Sequence, residues 1–395
     1  MATLPNDSSI IAPYSTTYGA NRIINCQVVE NITVALPEDI MMLIISKLDL
    51  LDFHCFSSVC KSWKSIAIAA KKIMPPQLPL LMLSSSEDQD HHDGFFSLSH
   101  NKVFRLKLPP EVDGARCCGS TWGWLVMVTK LGRHFLLNPL SGDLIELPPK
   151  ATLPAHRQGV IYKLHKFGSF YNYIRKAMLL SPPIADDFVV IVIYCGKRLA
   201  FCRGGDETWT AIGYMETEDI IFYHGKLYAI NRGFNLITVE LGPRPKVTSC
   251  SIAPPSTEAS NFFILSKISV YLVECLGELL MVIRYRKFVD SNMSKTSMFN
   301  IFKLNTEGKC WTKVKDLGDQ MLFIDKSNGF SLSAPDYFGF RGNCIYFTDD
   351  FSSKFGSTTC KNLGVFRLED NYIEFFSSNY LHSYLYLPIW FTPIW

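Results

Sequence analysis

From Leu36 to about Ile73 apolar residues recur at three- and four-residue steps, whereas from about Leu78 onward they gather into short runs separated by Gly, Asp, Asn and Pro. The first pattern predicts helices and the second strands. Pro75-Pro76 falls between them, where proline's missing N–H and the restriction on its predecessor stop a helix. Residues 1–34, rich in Ser, Thr and Asn with one apolar patch at Ile23-Ile24 and Val28-Val29, are expected to be a disordered leader. The chain thus divides into a leader (1–34), a helical unit (35–74) and a β-rich segment (78–395).

Within the helical unit Pro37-Glu38-Asp39 suits a first helical turn, since proline loses no hydrogen bond there and acids complement the positive end of the dipole. Ile40, Ile44 and Leu48 recur every four residues, with Met41 and Ile45 widening the stripe. Asp49 is placed to cap a second short helix carrying Phe53 and Phe56, and a third runs from about Cys60 with Trp63, Ile66, Ala70 and Ile73. Three short helices enclose too little interior to stand securely alone, so an apolar face is expected to seek a partner.

The β-rich segment repeats one shape, a glycine, an apolar strand, a short gap and a second strand. Gly123-WLVMV precedes His134-FLLNP, Gly225-KLYAI precedes Phe234-NLITVEL, Gly277-ELLMVIRY precedes Met298-FNIFKL, and Gly342-NCIYFTDD precedes Gly364-VFRLED. Gly196-KRLAFC, Trp209-TAI and Trp311-TKVKDLGD extend the series. At ~40–50 residues per blade, about 318 residues make a β-propeller of about six or seven blades, favoured over one or two β-sandwiches. The uncharged tail Phe375–Trp395 contains Ser377, Ser378, Asn379, His382, Ser383, Pro388 and Pro393, so it is read as a last strand rather than a membrane anchor. A ring must join its ends, and Tyr384–Trp395, with Tyr386, Ile389, Trp390 and Trp395, is expected to pack on an early blade strand, Leu80-Leu81-Met82-Leu83 being one candidate.

Composition narrows the function. A hydrophobic fraction of 48% with 19% charged residues is that of packed domains, and 39 Lys+Arg against 36 Asp+Glu lack the excess of a nucleic-acid binder. The 12 cysteines form no C-x-x-C pair, so they are read as reduced, mostly buried thiols. The first residues have neither a basic start nor an apolar run long enough for a secretory signal. The expected address is therefore cytoplasm or nucleus, with the sequons at Asn31 and Asn292 unglycosylated.

Leu36-Pro37-Glu38-Asp39-Ile40, Ile44-Ile45-Ser46-Lys47-Leu48 and Val59-Cys60-Lys61-Ser62-Trp63-Lys64-Ser65-Ile66 together resemble the F-box. Where many F-boxes have Leu-Pro this chain has Leu48-Asp49, and a capping acid keeps the helix break. The resemblance implies binding to the Skp adaptor of a cullin-RING ubiquitin ligase. It implies as adaptor-binding residues Leu36, Pro37, Ile40, Ile44, Leu48, Leu51, Phe53, Val59, Cys60 and Trp63. Cys118-Gly119-Ser120-Thr121-Trp122-Gly123-Trp124-Leu125, Leu137-Asn138-Pro139-Leu140-Ser141-Gly142, Leu147-Pro148-Pro149 and Trp390-Phe391-Thr392-Pro393 resemble the kelch-like β-propeller of a large plant family of F-box proteins. The implied whole is an α+β multidomain chain, a three-helix F-box followed by an all-β propeller.

Other candidates have plainer readings. The run Glu87–Asp93 (EDQDHHD) is a solvated loop rather than a metal site, because ligands must converge from rigid positions. Asn138–Asp143 reads as a turn. Trp122 and Trp124, taken as alternating on one strand, are expected to fill space between blades rather than to hold a ligand. No nucleophile elbow, phosphate-cradling loop or zinc motif appears, and no cofactor is implied. The expected function is that of a non-catalytic substrate receptor, which binds the adaptor and recruits a protein for ubiquitination and degradation by other subunits. Two other readings stay open. One is an adaptor-bound regulator that does not degrade its partner, and the other a propeller enzyme or sugar binder with a vestigial F-box.

Overall fold

The computed structural model describes residues 36–48, 50–70, 77–83, 92–154, 173–183, 187–195, 197–213, 215–242, 244–250, 252, 267–288, 294–305, 309–350, 362–376 and 387–393. Three helices come first, α1 (Glu38–Ile45), α2 (Leu50–Ser57) and α3 (Lys61–Ala70). Pro37 stands one position outside the first turn as the N-cap, its carbonyl accepting from Ile40 and Met41, and Glu38 and Asp39 fill the turn behind it. The core of the unit is Met41 and Ile45 of α1, Phe53 and Phe56 of α2, and Ala67 and Ala70 of α3, with Phe56 stacked on Trp63 at 4.4 Å. The alternative stripe Ile40-Ile44 faces outward. Asp49 and Ile73 lie outside the described residues.

The remaining strands form six sheets arranged as a ring of blades. Blade 1 holds β1 (Leu80–Leu83), β2 (His92–Ser97) and β3 (Lys102–Lys107). Blade 2 holds β4 (Arg116–Thr121), β5 (Trp124–Val128), β6 (His134–Leu137) and β7 (Leu144–Leu147). Blade 3 holds β8 (Ile174–Leu179), β9 (Val189–Tyr194), β10 (Arg198–Arg203) and β11 (Thr210–Ile212). Blade 4 holds β12 (Asp219–Tyr223), β13 (Lys226–Ile230), β14 (Leu236–Glu240) and β15 (Lys246–Ser249). Blade 5 holds β16 (Lys267–Cys275), β17 (Glu278–Phe288), β18 (Ser294–Asn305) and β19 (Cys310–Val314). Blade 6 holds β20 (Gln320–Ile324), β21 (Gly329–Ser333), β22 (Cys344–Phe347), β23 (Gly364–Arg367) and β24 (Tyr372–Phe375). The last strand, β25 (Ile389–Phe391), returns to blade 1 and pairs antiparallel with β1, Trp390 opposite Leu81. That is the expected closure. Tyr384, Tyr386 and Trp395 lie outside the described residues.

A blade is covered on both faces by its neighbours, so its strands bury successive residues and read as continuous apolar runs. β6, β20 and β22 are buried along their whole length. Six apolar clusters result, one between each pair of neighbouring blades, the last joining Met321 and Phe323 of blade 6 to Leu81 and Trp390 of blade 1.

All four glycine-led hairpins form adjacent antiparallel pairs, β5–β6, β13–β14, β17–β18 and β22–β23. In three blades the first and second strands are joined by two residues that both have positive φ, Trp122-Gly123, His224-Gly225 and Leu276-Gly277. This is the type I′ turn whose twist suits a hairpin. It also corrects the expectation for Trp122 and Trp124, which sit on either side of a reversal. Trp122 projects from the turn, 46% exposed, while Trp124 packs between blades 2 and 3.

These turns open on one face of the ring, and β1 begins there too, so the F-box tether joins the propeller on that proximal face. Leu50 of α2 packs into the cluster between blades 1 and 2. The opposite, distal face carries the connections into each innermost strand. Blade 5 is the exception in height, since β17 and β18 run 11 and 12 residues where β5 and β13 run 5. The loop 138–143 is the expected turn, with Asn138 Oδ1 accepting from Leu140 and Ser141. Of the acidic and histidine run, 87–91 lie outside the described residues and His92-Asp93 open β2. None of the 10 described cysteines is in a disulfide, but only Cys118, Cys202, Cys275 and Cys344 are buried, because the others lie near strand ends, turns or helix surfaces.

Candidate functional site

Two regions combine exposed or charged chemistry with a fixed frame. The first is the outer face of the helices. Burying Met41 and Ile45 one position along from Ile40 and Ile44 forces the latter pair to the surface, with Leu36 (43% exposed), Leu43 (60%), Val59 and Ile68 also exposed. Pro37 is exposed beside them and Cys60 half-buried. Such a concentration of large apolar side chains on a unit this small marks an interaction surface.

The ten residues implied for adaptor binding therefore separate. Leu36, Pro37, Ile40, Ile44 and Val59 lie on the exposed face. Phe53 is buried in the helical core, and Leu48 and Trp63 pack against that core. These three hold the face in shape from behind. The side chain of Leu51 lies outside the described residues. Leu43 and Ile68 belong to the face but not to the implied set, and their signal was their place three residues beyond Ile40 and outside the Trp63-Ile66-Ala70 stripe.

The second region is the propeller axis. The innermost strands are β25, β4, β8, β12, β16 and β21. Strands β4 and β8 approach so closely that a Cβ on Gly119 would stand 2.0 Å from the carbonyl oxygen of Ala177, so only glycine fits. The tip of the β20–β21 hairpin, Asp325–Asn328, enters the axis. Asp325 Oδ2 accepts from the Trp390 N–H at 2.7 Å and Asn328 Nδ2 donates to the Ser120 carbonyl at 2.7 Å, tying blade 6 to blades 1 and 2.

Around this tip are charged residues taken from strands that are otherwise apolar. Lys176 pairs with Asp219, whose second oxygen accepts from the Leu272 N–H at 2.7 Å. Glu218 accepts from Lys197 and, at 3.1 Å, from Arg175. Burial would raise the Glu218 carboxyl, yet these two cations hold it below its ordinary range. Between blades 5 and 6, Asp350 accepts from Arg286 and Tyr271 and lies 3.4 Å from Arg284. Burial opposes its charge, and Arg286 and Arg284 overcome that opposition to hold it far below the carboxylate range. None of these residues was singled out in the sequence. The available signal was a charge inside an apolar strand, as in Ile283-Arg284-Tyr285-Arg286, which is costly to bury unless paired.

Among the described residues no group of three or more His, Cys, Asp or Glu is placed to hold a metal ion, and no helix is long and apolar enough to cross a membrane.

Comparison with known proteins agrees with both parts of the architecture. Residues 35–69 match the F-box domain and residues 95–367 the KIB1-4 beta-propeller. An Arabidopsis thaliana F-box protein, At5g55150, is 29% identical over 352 residues, covering 86% of this chain and 91% of its own. F-box protein SKIP23 of the same plant is 25% identical over 91% of this chain and 94% of its own. F-box protein KIB3, also from Arabidopsis thaliana, is 23% identical over 79% and 70%. The blade set is thus that of KIB1-4 propellers, for which kelch-like is only a loose description. With the propeller match spanning most of the chain and the helices matching the F-box, the protein belongs to the plant F-box proteins that carry a KIB1-4 β-propeller.

Proposed function

We propose that this protein is the substrate-recruiting subunit of an SCF ubiquitin ligase. The helices of 35–74 dock on the Skp adaptor, and the propeller of 78–395 presents a protein for ubiquitination and proteasomal degradation. The observation that carries this reading is the exposed apolar face of Leu36, Ile40, Leu43, Ile44 and Val59, held by an independent core on the other side of the same helices. The chain itself performs no chemistry in this reading. It raises the effective concentration of a target lysine near the charged conjugating enzyme. A cytoplasmic or nuclear place of action follows from the partners.

The test is co-purification of the adaptor with the full chain. Replacing Leu36 and Pro37 together with Ala removes apolar contact at the edge of the face, and losing a buried Leu contact at about 2–5 kcal/mol weakens binding by roughly thirty-fold or more. The Ile40→Asp/Ile44→Asp pair places charge at its centre while leaving Met41 and Ile45 untouched, and it abolishes capture. Undiminished adaptor recovery with this second pair, in a protein that still melts cooperatively, rejects the assignment. Degradation is read separately, by accumulation of the captured partner when the proteasome is inhibited.

A further inference from the structure

The charges at the axis do not cancel. Each nearby carboxylate is already hydrogen-bonded, Glu218 to Arg175 and Lys197, Asp219 to Lys176 and a backbone N–H, Asp325 to the backbone N–H groups of Ser327, Asn328 and Trp390, and Asp350 to Arg286 and Tyr271. Two cations are left over. Arg116, 6% exposed, donates to the Ile174 carbonyl and otherwise has a buried Nε with no hydrogen-bond partner. Lys326, partly exposed at the hairpin tip, makes no ion pair or hydrogen bond among the described residues, and the one carboxylate whose field reaches it, Asp350, is already held by Arg286 and Arg284. The two are neighbours. The Cys118 thiol, 3.8 Å from the same Ile174 carbonyl, lies within the field of both. Burial, then Arg116 and Arg175, push the Lys326 ammonium down to about 8, as expected for cations crowded together.

The backbone is shaped around the same spot. The inner strands of blades 2 and 3 each break register there, β4 between Cys117 and Gly119 and β8 between Ile174 and Lys176, and such bulges re-aim side chains. Arg116 opens β4, Arg175 is the second residue of β8, Glu218 leads into β12, and Lys197 lies in the turn between the second and third strands of blade 3. All four therefore lie toward the distal face, away from the F-box tether. The side chains of Arg175 and Lys197 are 35% and 32% exposed, so the cluster meets solvent.

We propose that this distal mouth of the axis, with Arg116 and Lys326 as its principal ligands and Arg175 at its rim, binds a phosphoryl group. Two cations without an ion-pair partner, in a cluster where Arg175, Lys197 and Lys176 already answer Glu218 and Asp219, match a dianion better than a carboxylate, and a guanidinium with an unpartnered N–H favours tetrahedral oxyanions. The group is carried either by a modified side chain of a recruited protein or by a free phosphate. The first source deepens the recruiting role proposed above, while the site itself stands whether or not the adaptor docks.

Titration calorimetry on the full chain at constant ionic strength tests this, with inorganic phosphate and a blocked phosphoserine amide as probes and unmodified serine amide as the control. Saturable binding of at least one phosphate probe is expected, with none of the control. Lys326→Met weakens it about ten-fold or more, as for loss of a charge-assisted contact, and Lys326→Arg restores it. Because Lys326→Met removes a cation crowded by Arg116 and Arg175 and held by no ion pair, its melting temperature without ligand equals or exceeds that of the parent, which separates lost binding from lost fold. Arg116→Gln is the second variant and shows the same loss. Tighter binding of phosphoserine amide assigns the group to a protein side chain, and tighter binding of inorganic phosphate to a free anion. The proposal is overturned by no saturable response to either probe up to about 20 mM, or by equal affinity in Lys326→Met.

Discussion

Trp390 makes the closure of the ring measurable. Its side chain is fully buried, its ring meets Phe323 edge-on at 5.2 Å, and its backbone joins β1 on one side and Asp325 on the other. Replacement by Ala removes roughly 200 Å² of buried surface, about 5 kcal/mol at 25 cal/mol per Å² and an upper bound because unfolded chains are partly compact. The Trp390 Nε1–H has no partner, so its removal returns about 1–2 kcal/mol. The expected net loss is about 3–4 kcal/mol, in line with large-to-small changes in cores, and lowers the melting temperature by about 5–10 °C. Trp390→Phe keeps the ring contact, sheds the unpartnered donor and costs about 1 kcal/mol or less. Trp122→Ala is the control, since Trp122 stands 46% exposed on a turn and its loss falls within about 0.5 kcal/mol. Thermal melts followed by near-ultraviolet dichroism, with adaptor capture measured alongside, read all three. A melt of Trp390→Ala within about a degree of the parent, or an equal drop in Trp122→Ala, would show that Trp390 does not hold the ring closed.

Two further outcomes concern buried charge. Asp350→Asn strands Arg284 and Arg286, both almost wholly buried, and should cost about 3–5 kcal/mol in urea unfolding, far more than the same change at the exposed Asp143. His134 donates from Nδ1 to the Pro148 carbonyl at 2.7 Å with its Nε2 buried and unpartnered, and burial chiefly, with Lys150, pushes its imidazole down to about 4. The unfolded chain gains a proton near pH 6.5 that the folded chain refuses until about 4. Stability therefore falls as pH drops through that window, by up to about 3 kcal/mol, and His134→Phe flattens the decline in unfolding titrations across it.

The parts of this molecule legible in its sequence are those set by local rules. Helix periodicity marked the three helices, and the glycine-led hairpins are adjacent strand pairs because a tight turn fixes its own partners. The C-terminal strand was placed on Leu80–Leu83 by the topological need for closure. What stayed hidden depended on assembly. Whether Ile40 or Met41 faces inward is a rotation of one residue on a helix apolar on both sides, and only packing against Phe53 and Phe56 decides it. Trp122 and Trp124 look alternating until the backbone reverses between them. The axial charges come from residues 116, 175–176, 197, 218–219, 284–286, 325–326 and 350, and a meeting of segments so scattered has no linear signature.

The unequal height of blade 5 has a consequence for how anything could rest on the ring. Six similar blades present a nearly rotationally degenerate disc, on which a bound object has several equivalent azimuths. Strands β17 and β18 exceed the five-residue strands of β5 and β13 by at least six residues, about 20 Å at 3.3 Å per residue. Since the Leu276-Gly277 turn shares the proximal face with its counterparts, as the bond from the Tyr223 hydroxyl to the Gly277 carbonyl at 2.7 Å attests, the surplus rises on the distal side. Among the described strands it stands there as the tallest edge beside the axis. It is one taller edge on an otherwise even rim, so the disc acquires a heading. In the recruiting role proposed above, a target lysine would then be swung toward one compass point of the assembly instead of being averaged over all of them.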